Sequence, residues 1–288
     1  MRAEETLRPG RRLQDNRSFP MMIAANLEKG GNGIAKEGTF FGSPLQVAAT
    51  NDPDMASKMG AICGAEGTAL GCNWSFAPII DIDYNFRNPI TNTRTFGSNP
   101  DMVKAMGVEY VKAVQSFDMA AAIKHFPGDG VDERDQHLAV TINDLNADEW
   151  DSSYGKVYRA CIEAGAKSVM VGHIMQPAWS KKLNPGLSDR ELLPATLSYE
   201  LVTGLLKGHL GFNGLVVTDA STMAGMIVPM GRDRAVPQAI AAGCDMFLFT
   251  RSQEEDFQFM KAGLENGILT RARFEEAVKT VLAFKASL

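Results

Sequence analysis

The chain has 288 residues, 45% of them hydrophobic and 22% charged, with a mean hydropathy of −0.12, the composition of an enzyme-sized globular protein able to bury a sizeable core. Lys and Arg number 29 against 34 Asp and Glu, and a net charge of −5 with no basic cluster argues against a nucleic-acid backbone or an anionic membrane as partner. Four cysteines, Cys63, Cys72, Cys161 and Cys244, show neither CxxC nor metal-ligand spacing and read as buried free thiols of a reducing, cytoplasmic compartment.

Residues 1–20 form a polar, Arg-rich segment without an apolar leader, and no run reaches the roughly 18 apolar residues of a membrane span. Short apolar runs then recur, each ending in polar residues: MMIAANLE (21–28), SFAPIIDID (75–83), MAAAIKH (119–125), KSVMVGH (167–173), LVVTDAS (215–221) and CDMFLFTR (244–251). They lack alternation, as expected of strands buried on both faces of a parallel sheet. Helical patterns separate them. In SNPDMVKAMGVEYVKAVQSF, Asn99 suits an N-cap and Pro100 the first turn, and Met102, Val103, Met106, Tyr110, Val111 and Val114 make one apolar stripe. Glycine links in EAGAKSVMV, HLGFNGLVV and AAGCDMFLF suit helix C-caps leading into strands.

This grammar predicts an α/β fold, a TIM-type (β/α)8 barrel occupying residues 1–288 as a single catalytic domain. The polar strand ends, Asn26 and Glu28, Asp81 and Asp83, Lys124 and His125, His173, Thr218 and Asp219, and Arg251, then converge on one mouth. No GxGxxG or GxxxxGK[ST] occurs, and the glycines of EKGGNG (28–33) read as a tight turn. Two chemistries suit such a mouth. A zinc hydrolase needs close His pairs such as HxH or HxxxH, whereas His125 and His137 stand twelve apart. Glycosyl transfer needs a carboxylate nucleophile and a proton donor, and Asp219 suits the first role. Each residue also has a plainer reading: Asp219 as a helix cap, His125 as a core histidine, DERD (132–135) as a solvated loop, His209 as a cation at a helix C-terminus.

At these positions the sequence resembles the family 3 glycoside hydrolases, and within them the bacterial β-N-acetylglucosaminidases that act on peptidoglycan fragments. KHFPGDGVDERDQH (124–137) is similar to the family's Lys-His-Phe-Pro-Gly-x-Gly followed by Asp-x-His, and FAPIID (76–81), RTFG (94–97), GFNGLVVTDASTMAGM (211–226) and AAGCDMFLF (241–249) resemble further family segments in the same order. The resemblance runs from about Phe19 to the end of the chain. It implies a retaining exo-glycosidase that releases terminal β-linked N-acetylglucosamine from peptidoglycan- or chitin-type fragments, with no metal or other cofactor and a small carbohydrate as its partner. Asp219 is implied as the nucleophile and His137 as the general acid/base, oriented by Asp135. Arg94, Lys124, His125, Asn26, Glu28 and the Thr222–Met223 step after the nucleophile are implied in sugar binding. The alternatives are a phosphorylase, for which a histidine acid/base avoids repelling phosphate, and a truncated, inactive sugar-binding homologue. Three departures stand out. Asn26 replaces an Asp that binds hydroxyls of the terminal sugar, keeping an acceptor and losing a charge. Asp129 stands where the family usually has a His, and the first strand of the family's barrel is not seen, which makes the barrel incomplete or distorted at its N-terminus.

Overall fold

The computed structural model describes residues 20–288, so the polar segment assigned to residues 1–20 lies, apart from Pro20, outside the described residues. Every apolar run overlaps a strand, the second only at Ser75: β1 (Ala24–Ala25), β2 (Trp74–Ser75), β3 (Ala120–Phe126), β5 (Ser168–Val171), β7 (Leu215–Ala220) and β8 (Met246–Leu248), while β4 (Thr141–Ile142) and β6 (Ile174–Met175) form a separate parallel pair. The six strands make one parallel sheet in the order β1-β2-β3-β5-β7-β8. β2 breaks off early for a local reason. Pro78 has no N–H to give the ladder, so β2 stops and pairing resumes only at a single bridge between Ile79 and Lys124.

Strand alternation splits the core in two. Trp74, Phe76, Ala120, Ala122, Met170, Leu215 and Val217 point inward and pack with Met22 and Ala24 on one edge and Met246 and Leu248 on the other. The edges therefore share an interior, yet among the described residues no ladder joins β1 to β8. The sheet is an incomplete (β/α) barrel, a curled half-barrel, as expected from the sequence. Its lower end is stopped by the C-terminal helix Arg271–Ala286, whose Phe284 meets Trp74 edge to face at 5.1 Å.

Ala121, Ile123, Val169, Val171 and Val216 point outward into the larger cluster under the helices. Helix α1 (Pro53–Ala69) and helix α2 (Pro100–Gln115) pack there, and the Asn99 side chain caps α2 by accepting from the Asp101 and Met102 amides. On α2 Val103, Met106, Tyr110, Val111 and Val114 are buried, each worth roughly 1.5–3 kcal/mol relative to exposure, whereas Met102 sits at the margin. That stripe fixes α2 against the outer face of the sheet and so fixes which strand ends face the mouth. All four cysteines are buried free thiols; burial pushes Cys63 and Cys72 up to about 11 and Cys161 and Cys244 up to about 12, which leaves them unreactive. Among the described residues no helix is long and apolar enough to cross a membrane.

Candidate active site

The C-terminal strand ends open on a cavity of about 220 Å³ whose wall includes Asn26, Arg94, Lys124, His125, His137 and Asp219, with Phe76, Met170 and Phe249 as its apolar part. A larger cavity of about 550 Å³ lies at the opposite end, against Gly165–Lys167 and the C-terminal helix, and holds no carboxylate or histidine. Chemistry rather than size singles out the smaller one.

β3 delivers Lys124 and His125. The Asp81 carboxylate, fully buried, accepts from the His125 backbone N–H (3.0 Å), from His125 Nδ1 (2.7 Å) and from the Asp129 N–H (2.8 Å). With Nδ1 held by a carboxylate, Nε2 is the free face of the ring, and it points towards Asp219 Oδ2 at 3.8 Å, beyond hydrogen-bond range. Asp219 stands near the end of β7 with Oδ1 accepting the Ala220 N–H at 2.7 Å. Burial works against its ionisation, but His125, His173, the Ala220 N–H and Lys124 outweigh that and hold the carboxyl below its usual value. His173 is itself fully buried, which pushes it towards the neutral form; its Nε2 meets the Ala220 carbonyl at 3.1 Å and Nδ1 the Thr196 hydroxyl at 2.9 Å. It braces β7 from behind.

A charge cluster forms the opposite wall. Arg94 grips Glu28 through two bonds, Nε to Oε2 at 3.0 Å and an Nη to Oε1 at 2.8 Å, and Lys124 Nζ reaches Glu28 Oε1 at 2.9 Å and Asn26 Oδ1 at 3.2 Å. Glu28 stands behind both cations rather than on the cavity wall. Burial alone would raise its carboxyl, yet Lys124 and Arg94 drive it far below the usual range. Glu28→Ala is therefore expected to cost about 3 kcal/mol of stability by stranding two cations, at the low end for a broken buried pair because the Arg94 side chain keeps 30% exposure. A carboxyl with a depressed folded value stabilises above its unfolded value and loses that contribution as pH falls. The wild-type advantage in urea unfolding should accordingly be full at pH 7 and shrink below about pH 4; an advantage unchanged at pH 3 would contradict the assignment.

His137 comes from the loop after β3. Its Nδ1 and backbone N–H both meet Asp135 Oδ1, at 2.6 and 2.8 Å, and its side chain is 53% exposed at the cavity. The loop's turn needs glycine: at Gly128 (φ 116°) a Cβ would strike the Tyr154 ring and at Gly130 (φ 110°) the Ile82 carbonyl. Asp129, between them, is buried and accepts from Asn88 Nδ2 (2.8 Å), the Gly130 N–H (2.7 Å) and Gln136 Nε2 (3.1 Å). Burial and the neighbouring Asp81 push its carboxyl up to about 6 against these donors. Its ionisation therefore subtracts stability as pH rises from an unfolded value near 3.9 to about 6.

Of the site residues read from sequence, Asn26, Arg94, Lys124, His125, His137 and Asp219 meet at the cavity, with Asp135 and Asp81 bound directly behind two of them. Asp83, which accepts from the Thr91 hydroxyl, and Thr222, Met223, His173 and Arg251 lie off the wall. Gln136 and Phe249 join the wall with no chemical signal in the sequence to mark them. Arg232 places Phe249: it binds the Ser221 carbonyl (2.7 Å), the Ser221 hydroxyl (3.0 Å) and both Asp256 oxygens, while Ser221 Oγ donates to the Phe249 carbonyl. Among the described residues no group of three or more His, Cys, Asp or Glu is gathered as metal ligands would be.

The profile of the glycosyl hydrolase family 3 N-terminal domain matches residues 4–284. The chain is 54% identical over 276 residues, 96% of its length, to a protein of Cellulomonas fimi named β-N-acetylglucosaminidase/β-glucosidase, and 30% identical, again over 96% of its length, to β-hexosaminidase A of Pseudoalteromonas piscicida. It spans 49% and 48% of those proteins, about half the length of the curated relatives it matches. Among solved structures it is similar to the β-glucoside phosphorylase BglX bound to 2FGlc, with a TM-score of 0.97 and 45% identity over 99% of this chain and 52% of that one. A family 3 β-N-acetylglucosaminidase from Paenibacillus sp. str. FPU-7 aligns with a TM-score of 0.89 and 29% identity over the whole of this chain and 54% of that one.

Proposed function

The chain belongs to glycosyl hydrolase family 3, whose N-terminal domain it spans, and from that premise we propose that it carries the catalytic centre of a retaining exo-glycosidase that releases terminal β-linked N-acetylglucosamine from peptidoglycan- or chitin-type fragments. One observation carries the reading: Asp219 is the sole carboxylate among the described residues lining the cavity, and the His137 imidazole held by Asp135 lines the same cavity. A nucleophile and a proton donor sharing one sugar-sized space are the requirement of glycosyl transfer with retention.

In the first step Asp219 attacks the anomeric carbon as the His137 imidazolium gives its Nε2 proton to the leaving oxygen, and a glycosyl-aspartate ester forms. In the second step neutral His137 takes a proton from water as that water attacks the same carbon and Asp219 leaves. Asp135 holds Nδ1, which keeps Nε2 as the working nitrogen in both directions. Arg94, Lys124, His125 and Asn26 offer donors and acceptors suited to the hydroxyls of a terminal sugar. The cavity's 220 Å³ is below the roughly 300–1,000 Å³ of drug-sized sites, consistent with one pyranose and cleavage from a chain end.

Phosphorolysis is the second reading. Among the described residues the wall holds no second carboxylate to repel an anion, and BglX, at 45% identity, is a β-glucoside phosphorylase. Turnover of p-nitrophenyl β-N-acetylglucosaminide with and without inorganic phosphate separates the two. Free sugar at a rate indifferent to phosphate is the expected result of hydrolysis. Sugar 1-phosphate as the main product, with the rate rising with phosphate, would replace water by phosphate in the second step and leave the first step unchanged.

A further inference from the structure

We propose that Asp129 and Gln136 are positioning residues that dock the His137 loop against the tips of β3 and β5. The proposal rests on the reading of His137 as acid/base and deepens it by naming what holds that residue in place.

Between Val131 and Leu138 the loop is exposed or half-buried except at Gln136, which is fully buried. Gln136 Oε1 accepts the His173 backbone N–H at 2.8 Å, and Gln136 Nε2 donates to Asp129 Oδ2 at 3.1 Å. The orientation of this amide is forced. The His173 N–H can only donate, so the amide oxygen must face it, and the NH₂ must then find an acceptor on the other side. Asp129 is that acceptor, and its second oxygen is taken by Asn88 Nδ2 and the Gly130 N–H. The backbone on either side of the junction is held too: the Gln136 and His137 carbonyls accept from the Gly225 and Ala224 amides of the short helix Ala224–Ile227 that follows the nucleophile strand. A half-exposed imidazole is thus carried on one of the most tightly bound points of its loop.

The donor and acceptor arithmetic predicts what substitutions do. In Asp129→Asn, the new amide can keep its oxygen towards Asn88 and Gly130 only by turning its NH₂ onto that of Gln136. If Gln136 turns over in response, its NH₂ meets the His173 N–H instead. In either arrangement two donors face each other. Gln136→Glu sets two buried carboxylates together. The double variant Asp129→Asn, Gln136→Glu satisfies every partner again, since the carboxylate introduced at position 136 accepts both from the amide introduced at position 129 and from the His173 N–H.

The test is kcat of the four forms on methyl β-N-acetylglucosaminide, with the rate of the first nitrophenol release and of the later turnover on the p-nitrophenyl glycoside. Each single variant should lose roughly ten-fold in kcat on the methyl glycoside, which needs protonation, the equivalent of one misplaced hydrogen bond. The first release of nitrophenol, whose leaving group needs little protonation, should keep its rate within about two-fold, and only the later turnover, in which His137 serves as base, should slow. The double variant should recover the methyl glycoside activity to within about three-fold of wild type. Losses that simply multiply in the double variant, or a first release of nitrophenol slowed as much as methyl glycoside turnover, would overturn the proposal while leaving the acid/base reading intact. A His137→Ala enzyme that itself showed no sensitivity to the leaving group would instead remove the acid/base reading, and this proposal with it.

Discussion

Asp219→Ala is expected to lower turnover of p-nitrophenyl β-N-acetylglucosaminide by roughly 10⁴-fold or more, the scale on which loss of a covalent nucleophile is felt. The expectation follows from its isolation. Among the described residues no other carboxylate reaches the cavity, so none can replace it, and the charges around it keep it ionised at neutral pH. Its carboxylate accepts from the backbone only at the adjacent Ala220 N–H, so the fold should survive the substitution, with an unchanged far-ultraviolet circular dichroism spectrum as the check. Added azide should fill the space left by the side chain and restore part of the rate as a glycosyl azide of inverted configuration. Undiminished turnover without azide would exclude Asp219 as the nucleophile.

His137→Ala should show a different pattern. A half-exposed side chain contributes little to stability, so unfolding should be nearly unaffected. Loss of general-acid catalysis should cost roughly 10²–10⁴-fold on the methyl glycoside, because an alkoxide cannot leave without a proton. The p-nitrophenyl substrate should form its glycosyl-enzyme almost normally and then stall, giving a burst of nitrophenol followed by slow turnover. Azide, which needs no deprotonation, should relieve that stall. Equal losses on every leaving group and no burst would contradict the assignment. Asp135→Asn should lie between His137→Ala and wild type: the amide oxygen can still hold Nδ1, while the charge that favours the imidazolium is gone.

Much of this centre was legible because apolar strand and polar end are a local pattern. Lys124, His125 and Asp219 each follow a buried run directly, and a parallel sheet brings such ends to one side whatever the details of its closure. The Asn99 cap and the apolar stripe of α2 were equally local. What was hidden depended on contacts distant in sequence or on hydrogen-bond matching. Glu28 reads as one more polar strand end, and only its approach to Arg94 and Lys124 turns it into the counter-ion of that charged wall. Asp129 looked anomalous because its partners, Asn88 and Gln136, are ordinary amides in the sequence. The π-helical segments Asp151–Gly155 and Glu200–His209 do not register against a period of 3.6 residues, and the brief β4–β6 pair has too few residues to show any period.

The ion pairs behind the cavity also bear on when the protein becomes active during folding. Glu28 and Arg94 are 66 positions apart, and Asn26 and Lys124 are 98 apart. Loops of that length close late, since their entropy is lost before any contact between their ends repays it. Arg94 and Lys124 cannot take their working positions until the segment around β1 has returned to the sheet beside β2 and β3. A chain that has already formed its helices therefore still lacks its assembled cavity. During refolding, recovery of turnover should lag behind recovery of the helical signal, which makes activity the reporter of the last long-range closure rather than of collapse.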